Sequence, residues 1–420
     1  MNMKKTMKIA GLICLTLLMV ALPLLGSACG TGEKTLKIGI TTPTTGKAAE
    51  KGSLMGHANL DAIEYVNTEL GGVGGYTIEV EWLDNAYDPG KMVNAVQKFM
   101  DDNCLIFINA SSAMMTAAMT TANQNEFPGI AAFTAPILYR PPEHVYGQLP
   151  DYGDDWIVFA EYYMENIWDG EGKPKMALHL LANSTGYGAL DGAKAMADEL
   201  GIELILPPEE HLADTISETE SLTRIKAQDP DVLYIASTPA PASVIIQNAY
   251  ELGMLDDMTV ACGHAAFTQA LVDLAGADIV EGVYGVFPTV AWGDDVPGMD
   301  KMTEYCLANH PDDYGNMDYI TSWAQSLIVA EILRLTLEEV GYDVLAAGGV
   351  EAWNAIEEYG IQRLDYDVEG LHGEVKYVAG DNRLSKSLRV FQIESGEMEP
   401  ITDWIDAPVV EYENFDWFGN

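Results

Sequence analysis

The stretch "LIFINASSAMMTAA", residues 105–118, contains the junction of strand, loop and helix that decides the fold. The apolar run at 105–108 predicts a buried strand, and the small residues and methionines from Ala113 onward are typical of a helix. Ser111 and Ser112 lie between the two. Their hydroxyls either cap the helix or, together with its first backbone N–H groups, bind a negatively charged oxygen of a ligand. The local sequence leaves both interpretations open.

The same alternation of strand and helix patterns continues along the chain. Apolar, strand-like runs lie at residues 36–41, 76–83, 129–133, 176–181, 231–236 and 282–287. Helical patterns separate them, and a longer one covers residues 319–340. Such alternation predicts parallel sheets covered by helices on both faces. Two series of these units predict an α/β fold with two doubly wound parallel-sheet lobes.

Turn-forming residues mark two segments where we expect the chain to cross between the lobes. They are "PDYGDDW" at 150–156 and "PTVAWGDDVPG" at 288–298. The predicted boundaries are 36–149 plus 289–371 for lobe 1 and 150–288 plus 372–420 for lobe 2. A chain that returns to its first lobe crosses several times, and several crossings together make a hinge.

Two local motifs are interpreted as structural. "GGVGG" at 71–75 follows a helical pattern and precedes a strand, which is the reverse of the order in a phosphate-binding loop, so we expect a turn. Asp88 stands directly before Pro89 at the start of a helical pattern. This pair predicts a helix N-cap followed by a proline in the first turn.

Residues 1–28 have the layout of a secretory signal peptide, with three lysines before an apolar run at 9–25 and small residues at 26–28. The small residues before Cys29 resemble a bacterial lipobox, in which the cysteine is lipidated, so residues 29–35 are interpreted as a lipidated tether. Gly26 departs from that pattern, which usually has a large apolar residue there. Ordinary signal peptidase, leaving Cys29 unmodified, and an uncleaved anchor are the alternatives. The expected location is extracytoplasmic, either lipid-anchored to the cell membrane or periplasmic.

Charge and motif content argue against several classes of function. The chain has 22 basic and 64 acidic residues and a formal net charge of −42, which argues against nucleic acid as a partner. The histidines and cysteines have no metal-like spacing, and no nucleophile-elbow motif occurs. We therefore expect no metal, no cofactor and no enzymatic activity. Cys104 and Cys262 lie in or beside apolar runs and are interpreted as buried.

Several motifs, in one order over residues 36–393, carry a resemblance to a known family. They are "KIGITTPTTG" (37–46), "LDNAYDP" (83–89), "INASSAMMTAA" (108–118), "FPGIAAFTAP" (127–136), "NSTGYG" (183–188) and "LYIASTPAPASVIIQNAYELG" (233–253). By these motifs the chain resembles the leucine-binding proteins, which are the extracytoplasmic solute-binding proteins of branched-chain amino acid ABC transporters. Proteins of this family have the type I periplasmic binding protein fold. The resemblance implies two lobes that close over a small solute, delivery to an ABC permease, and no chemistry.

The resemblance also implies a carboxylate site in the first lobe. In this family, the segments that match "NASSA" and "AAFTA" bind a ligand carboxylate through hydroxyls and backbone amides. Ser111, Ser112 and Thr134 match these segments, with backbone groups around Ala132 assisting. Both segments follow predicted strands, and open α/β sheets bind ligands at that end.

Candidates from the rest of the cleft are less specific. Tyr187 in "NSTGYG" matches a family tyrosine that packs on the ligand from the second lobe, and a solvent-facing tyrosine at a helix start is the alternative. Asp151 and Tyr152 lie in the first crossing, from which they can reach the cleft. A solvated hinge residue is the alternative for Asp151.

Two positions depart from the family pattern. Amino-acid binders usually have an acid after the strand that matches "MTVAC", where it pairs with the ligand ammonium, but "ACGHAAF" has His264 there. A neutral histidine is a poorer partner for an ammonium group. Lys47 and Lys51 follow the first strand, and they favour an acidic ligand if they face the cleft. Both departures argue against leucine, isoleucine or valine as the solute.

Two other functional classes remain as alternatives. A ligand-sensing binding protein that acts through a separate receptor would have the same fold without transport. An enzyme would need a nucleophile beside a base, a metal cluster or paired carboxylates in one cleft, and no such motif is evident. We therefore expect an extracytoplasmic lipoprotein that captures a small carboxylate-bearing solute, such as an amino acid or a related organic acid or amide.

Overall fold

The computed structural model describes residues 34–419. The signal peptide and Cys29 lie outside the described residues. The strands are β1 (Thr35–Thr42), β2 (Thr77–Asp84), β3 (Phe107–Asn109), β4 (Gly129–Ala131), β5 (Val145–Gly147), β6 (Lys175–Leu181), β7 (Glu203–His211), β8 (Val232–Ala236), β9 (Thr259–Cys262), β10 (Tyr284–Phe287), β11 (Asp365–Tyr366), β12 (Val375–Lys376), β13 (Ser387–Glu394), β14 (Glu397–Pro400) and β15 (Ile405–Asp406).

The α-helices lie between the strands and continue after β10. They are α1 (Ala49–Thr68), α2 (Pro89–Asp101), α3 (Ser112–Gln124), α4 (Tyr152–Asn166), α5 (Ser184–Leu200), α6 (Thr219–Lys226), α7 (Pro239–Glu251), α8 (Gln269–Ala275), α9 (Ala277–Val280), α10 (Met299–Asn309), α11 (Met317–Val340), α12 (Tyr342–Ala347) and α13 (Gly349–Ala355).

Two main sheets define two lobes. The first has five strands in the order β2-β1-β3-β4-β5, and β3 pairs in parallel with β1 and β4. The second contains the parallel strands β6 to β10 in the order β10-β9-β8-β6-β7. Antiparallel strand β13 extends it beside β10, with β14 and β15 paired to β13. The predicted α/β fold with two parallel-sheet lobes is confirmed.

The chain returns to the first lobe after β10, and the long helix α11 carries it back. Asn59 on α1 is buried and donates from Nδ2 to the carbonyl oxygen of Ser322 at 2.8 Å, while Ser326 Oγ donates to the carbonyl oxygen of Asn59 at 3.1 Å. Tyr65 and Trp323 stack with 5.5 Å between ring centroids. These contacts fix α11 on α1, so the chain crosses between lobes after β5, after β10 and before β13. The predicted lobe boundaries stay a prediction.

Apolar side chains fill the interior of each lobe. Phe99, Phe107, Phe127 and Trp353 lie in one core cluster of the first lobe, and Ile235, Ile245 and Phe267 lie in one of the second lobe. Cys104 and Cys262 are buried free thiols, as their apolar neighbours predicted. Among the described residues, no helix combines the length and apolar character that spanning a bilayer requires.

Buried charges join the crossings between the lobes. The guanidinium of Arg383, before β13, donates from Nη1 to both carboxylate oxygens of Asp154 on α4, at 2.6 and 2.7 Å. Its Nη2 donates to Asp381 Oδ2 at 2.7 Å, and Nη2 of Arg140 lies 3.9 Å from Asp381. Asp151 caps α4 and accepts from the Asp154 amide at 3.0 Å. Burial raises the pKa of Asp154 to about 7 even though Arg383 opposes this shift.

The structure confirms both local motifs. Residues 71–75 form a turn in which Gly71, Gly72, Gly74 and Gly75 have positive φ angles. Asp88 is the N-cap of α2, since its side chain accepts from the Lys91 amide at 2.8 Å.

Replacing Asp88 with alanine is expected to lower the free energy of unfolding by about 1 kcal/mol, because the first N–H groups of α2 lose their acceptor. Urea unfolding followed by circular dichroism measures the change. Asp88→Asn, which keeps an accepting oxygen, is the control. Equal stability of the alanine variant and the wild type would contradict a capping role.

Candidate functional site

A cavity lies at the carboxyl ends of strands from both sheets, and the space within it, including the part open to solvent, is about 400 Å³. Its lining residues from the first lobe are Pro43, Ala48, Lys51, Gly52, Met55, Tyr87, Ala110, Ser111 and Phe133. Those from α4 and the second lobe are Tyr152, Thr185, Thr238 and Ala265. Parallel sheets bind ligands at this end of their strands, so the cavity has the expected position for a ligand site.

Ser111 is a helix cap that also lies at the cavity. It is the N-cap of α3, and its hydroxyl accepts from the Met114 amide at 3.4 Å. It also lines the cavity. The first N–H groups of a helix have no acceptor within the helix and carry positive partial charge, so the cavity meets a helix end suited to an anion.

Ser112 lies just beside the cavity and links the two lobes. Its hydroxyl is buried, 3.3 Å from the hydroxyl of Tyr152, and it accepts from Ser184 Oγ at 2.9 Å. Ser184 begins α5 in the second lobe. A second contact across the lobes joins Asn183 Nδ2 to the hydroxyl of Tyr87 at 3.5 Å. The lobes are therefore in a closed arrangement around the cavity.

Lys51 brings a buried positive charge to the cavity wall. Its Nζ atom lies 2.9 Å from Asp318 Oδ1, donates to the carbonyl oxygen of Ala265 at 3.0 Å, and lies 4.2 Å from the ring centroid of Phe133. Burial lowers the pKa of Lys51 and raises that of Asp318, and the attraction between the two charges opposes both shifts. Gly52 allows α1 to approach closely, since an added Cβ would lie 2.0 Å from the carbonyl oxygen of Pro43.

His264 is buried behind the cavity wall, outside the set of lining residues. Its Nδ1 lies 2.6 Å from Asp155 Oδ1, and its backbone amide donates to Asp155 Oδ2 at 3.0 Å. Its ring stacks on Phe133 and on Tyr152, with centroids 5.0 and 5.1 Å apart. Burial raises the pKa of Asp155, and His264 opposes that shift. Both partners are thus committed to one buried pair.

The remaining predicted site residues lie around the cavity without lining it. Ala132 is buried and its amide donates to the carbonyl oxygen of Asn109 at 2.8 Å. The buried Thr134 hydroxyl is 3.5 Å from the carbonyl oxygen of Leu149. Asp151 is a buried helix cap, and Tyr187 is 42% exposed on α5. Of the predicted residues, Ser111 and Tyr152 line the cavity. A ligand-binding role for any of the predicted residues stays a prediction.

The sequence interpretation missed several lining residues. Thr185, Thr238 and Ala265 follow β6, β8 and β9 and were not singled out. The rule that selected Ser111, a small or polar residue just after a parallel strand, would have found them when applied to the second lobe. Tyr87 lies in "LDNAYDP", which was assigned a structural role only.

The fold also brings together histidines that are distant in sequence. His57 and His310 stack with ring centroids 3.9 Å apart, and His57 Nδ1 lies 2.8 Å from Asp313 Oδ2. The atoms of His57, His310 and Asp313 that could bind a metal ion all lie within 4.8 Å of one another. None of these three residues lines the cavity. Spacing along the sequence therefore did not reveal this histidine pair.

Two hinged α/β lobes with a cavity at the carboxyl ends of both sheets define a class of solute-binding proteins. The chain belongs to the periplasmic binding protein family, whose family model matches residues 35–397. The relative called Leu/Ile/Val-binding protein homolog 7, from Brucella suis biovar 1 (strain 1330), is 23% identical over 361 residues, which cover 82% of this chain and 88% of the relative.

Solved structures show the same fold. A branched-chain amino acid ABC transporter structure from Thermus thermophilus with bound valine has a TM-score of 0.77 at 17% identity, covering 89% of this chain and 97% of that one. A fatty acid ABC transporter substrate-binding protein from Thermomonospora curvata has a TM-score of 0.75 at 20% identity, covering 92% and 95%. The expected family and the type I periplasmic binding protein fold are confirmed.

Proposed function

We propose that this protein is an extracytoplasmic solute-binding lipoprotein that captures a small carboxylate-bearing solute and delivers it to an ABC permease. The observation that carries the proposal is the cavity whose walls come from both lobes at the carboxyl ends of the strands. The solved relatives include one with bound valine and one for fatty acids, and both kinds of molecule have a carboxylate.

Closure of the lobes explains how capture and delivery are coupled. The Ser112–Ser184 and Tyr87–Asn183 contacts join opposite lobes beside the cavity. A solute that touches both walls adds contacts only in the closed form and shifts the population toward it. The permease then distinguishes loaded from empty protein by the relative position of the two lobes.

In this proposal the solute carboxylate binds at the N-terminus of α3. There Ser111 lines the cavity and the first backbone N–H groups point out of the helix. Each hydrogen bond to a charged oxygen at such a site contributes about 1.5–3 kcal/mol. Two or three of them are enough to make the carboxylate a main determinant of affinity.

Lipidation of Cys29 would tether the protein at the membrane beside its permease. The lipobox resemblance of the preceding residues supports this, and mass spectrometry of the mature N-terminus tests it. A signal-free variant is the control for the mass of the unmodified chain.

Native mass spectrometry of the protein purified from its own cells identifies the solute that it carries. A thermal-shift panel of amino acids, short amides, aromatic acids and dicarboxylates then ranks candidates, because a ligand that binds only the folded state raises the melting temperature. A carried solute without a carboxylate would contradict the proposal. A receptor that copurifies in place of a permease would support sensing instead of transport.

Replacing Ser111 with alanine is expected to weaken carboxylate binding about tenfold, or about 1.4 kcal/mol, because one hydroxyl donor is lost. Isothermal titration calorimetry with the identified solute measures the change. Ser111→Asp is the matched variant, since aspartate caps a helix as well as serine does but repels a carboxylate. It should keep the wild-type stability and lose more affinity than the alanine variant. Unchanged affinity in both variants would remove Ser111 from the site.

A further inference from the structure

We infer that the solute is a small monocarboxylic acid without an ammonium group, and that Lys51 is the residue that selects for it. This inference rests on the proposed function and narrows its solute class. It excludes free amino acids, which carry both groups.

Lys51 presents its charge to the cavity, whereas its partner does not. The lysine lines the wall with only 11% of its side chain exposed, while Asp318, 1% exposed, is outside the lining set. The pair therefore forms a buried dipole with its positive end toward the solute. The ammonium group donates to the carbonyl oxygen of Ala265 and forms an ion pair with Asp318. An ammonium group has three hydrogens, so it retains capacity to donate to a carboxylate oxygen.

None of the described residues that line the cavity offers a negative charge to balance an ammonium group. Among the lining residues that the structure describes, none is aspartate or glutamate. Two buried acids close to the lining residues are already paired, Asp318 with Lys51 and Asp155 with His264. Asp155 lines a smaller adjoining space that shares Tyr152, Thr185 and Ala265 with the cavity, but its carboxylate is held by the His264 ring and amide. A solute ammonium in the cavity would thus meet paired acids and would lie close to a lysine.

The energetic penalty for such a group is large. Desolvating an ionised group without a partner is strongly unfavourable, and a like charge nearby adds to that cost. A neutral hydroxyl, keto group or hydrogen at the same carbon avoids the penalty. The cavity therefore discriminates against amino acids by an unfavourable contact as well as by a missing favourable one.

The rest of the lining fits a short hydrocarbon tail. Pro43, Ala48, Met55, Ala110 and Phe133 supply apolar surface to the cavity. The fitting solutes are therefore acids with a small branched or aromatic tail. A second carboxylate would lack a second cation in the described lining.

Matched pairs of compounds test the inference on the wild-type protein. The pairs are leucine with 4-methylpentanoate and phenylalanine with 3-phenylpropanoate, each pair differing in the amino group alone. Isothermal titration calorimetry at neutral pH is expected to show at least 100-fold tighter binding of one or both acids than of the matching amino acid. Equal or tighter binding of the amino acids would overturn the inference and leave the proposed function standing. If neither acids nor amino acids bind and the carried solute has no carboxylate, the proposed function fails as well.

Variants of Lys51 separate selection by charge from selection by shape. Lys51→Met with Asp318→Asn removes both charges and leaves no buried carboxylate unpaired. It is expected to lose at least 30-fold in affinity for the preferred acid and little for its primary amide. Lys91→Met, which removes a lysine charge at an exposed position on α2, should bind like the wild type. Should the double variant not fold, Lys51→Arg keeps the charge with a larger head and is expected to reduce the affinity while retaining the preference for acids. Undiminished acid binding in the folded double variant would show that Lys51 is not the selecting residue.

Discussion

Replacing Arg383 with methionine is expected to lower the free energy of unfolding by about 3–5 kcal/mol. The Arg383 side chain is 1% exposed and hydrogen-bonds to two carboxylates. Its Nη1 donates to both oxygens of Asp154, and its Nη2 and Nε donate to Asp381. Methionine fills a similar volume but leaves both acids buried without a strong partner. Arg140, whose Nη2 is 3.9 Å from Asp381, is too distant to replace the lost hydrogen bonds.

Urea unfolding at neutral pH measures this effect. Arg383→Met combined with Asp154→Asn and Asp381→Asn is the matched control, since it removes the arginine and the charges that need it. That triple variant should recover a large part of the lost stability. Arg383→Lys should recover little, because an ammonium group cannot bind two carboxylates with a planar fork. A single methionine variant as stable as the wild type would show that the network does not support the crossings.

The second large effect is a loss of stability on acidification that comes from His179 and His211. These buried rings face each other with 3.0 Å between their Nδ1 atoms, and their Nε2 atoms lie 2.9 and 2.8 Å from the hydroxyls of Ser221 and Ser237. Burial lowers the pKa of His179 to about 4, although Glu218 opposes the shift, and it lowers the pKa of His211 to about 3.

The direction of this pH effect on stability depends on which state, folded or unfolded, is protonated at the higher pH. Both histidines have a pKa near 6.5 in the unfolded chain. At a pH between this value and the folded pKa values, the unfolded chain is therefore protonated at both histidines while the folded protein is not. The stability is therefore fully present above about pH 6.5 and is lost as the pH falls toward the folded pKa values. Each group contributes about 1.4 kcal/mol per pH unit, so the two together remove up to about 5 kcal/mol between pH 6.5 and pH 4.5.

Urea midpoints at these two pH values test the expectation. The double variant His179→Gln, His211→Gln keeps polar side chains at both positions and cannot titrate there. Because the other acidic groups titrate in both proteins, the difference between wild type and variant isolates the histidines. The variant is expected to lose markedly less stability on acidification. Parallel pH profiles would contradict the assignment.

Much of the fold could be predicted from the sequence, because each buried parallel strand is a short apolar run with a helical pattern after it. The helix expected at residues 319–340 is α11, Met317–Val340, and the cap at Asp88 occurs as predicted. The sequence did not show how the last part of the chain joins the sheets. Strand β13 pairs antiparallel with β10, and that partner lies about a hundred residues earlier in the chain.

The site could be predicted only in part, since a strand end gives the position of a residue but not the direction of its side chain. Ser111 lines the cavity, whereas the hydroxyl of Thr134 faces the carbonyl oxygen of Leu149. The partners of the charged residues were even harder to predict from the sequence. Lys51 pairs with Asp318 and His264 with Asp155, and both pairs join residues that are far apart in the sequence.

The two lysines after β1, Lys47 and Lys51, form ion pairs that differ in their sensitivity to ionic strength. Lys47 meets Asp214 of the second lobe at 2.9 Å, and both side chains are 61% exposed. Dissolved ions screen such a pair, with a Debye length of about 8 Å at 0.15 M, but they screen a buried charge such as Lys51 far less. At high ionic strength the Lys47–Asp214 contact at the rim of the cleft therefore weakens, while the buried Lys51–Asp318 pair changes little. Under the proposed function, retention of a solute would then depend on the buried interior of the cleft more than on its rim.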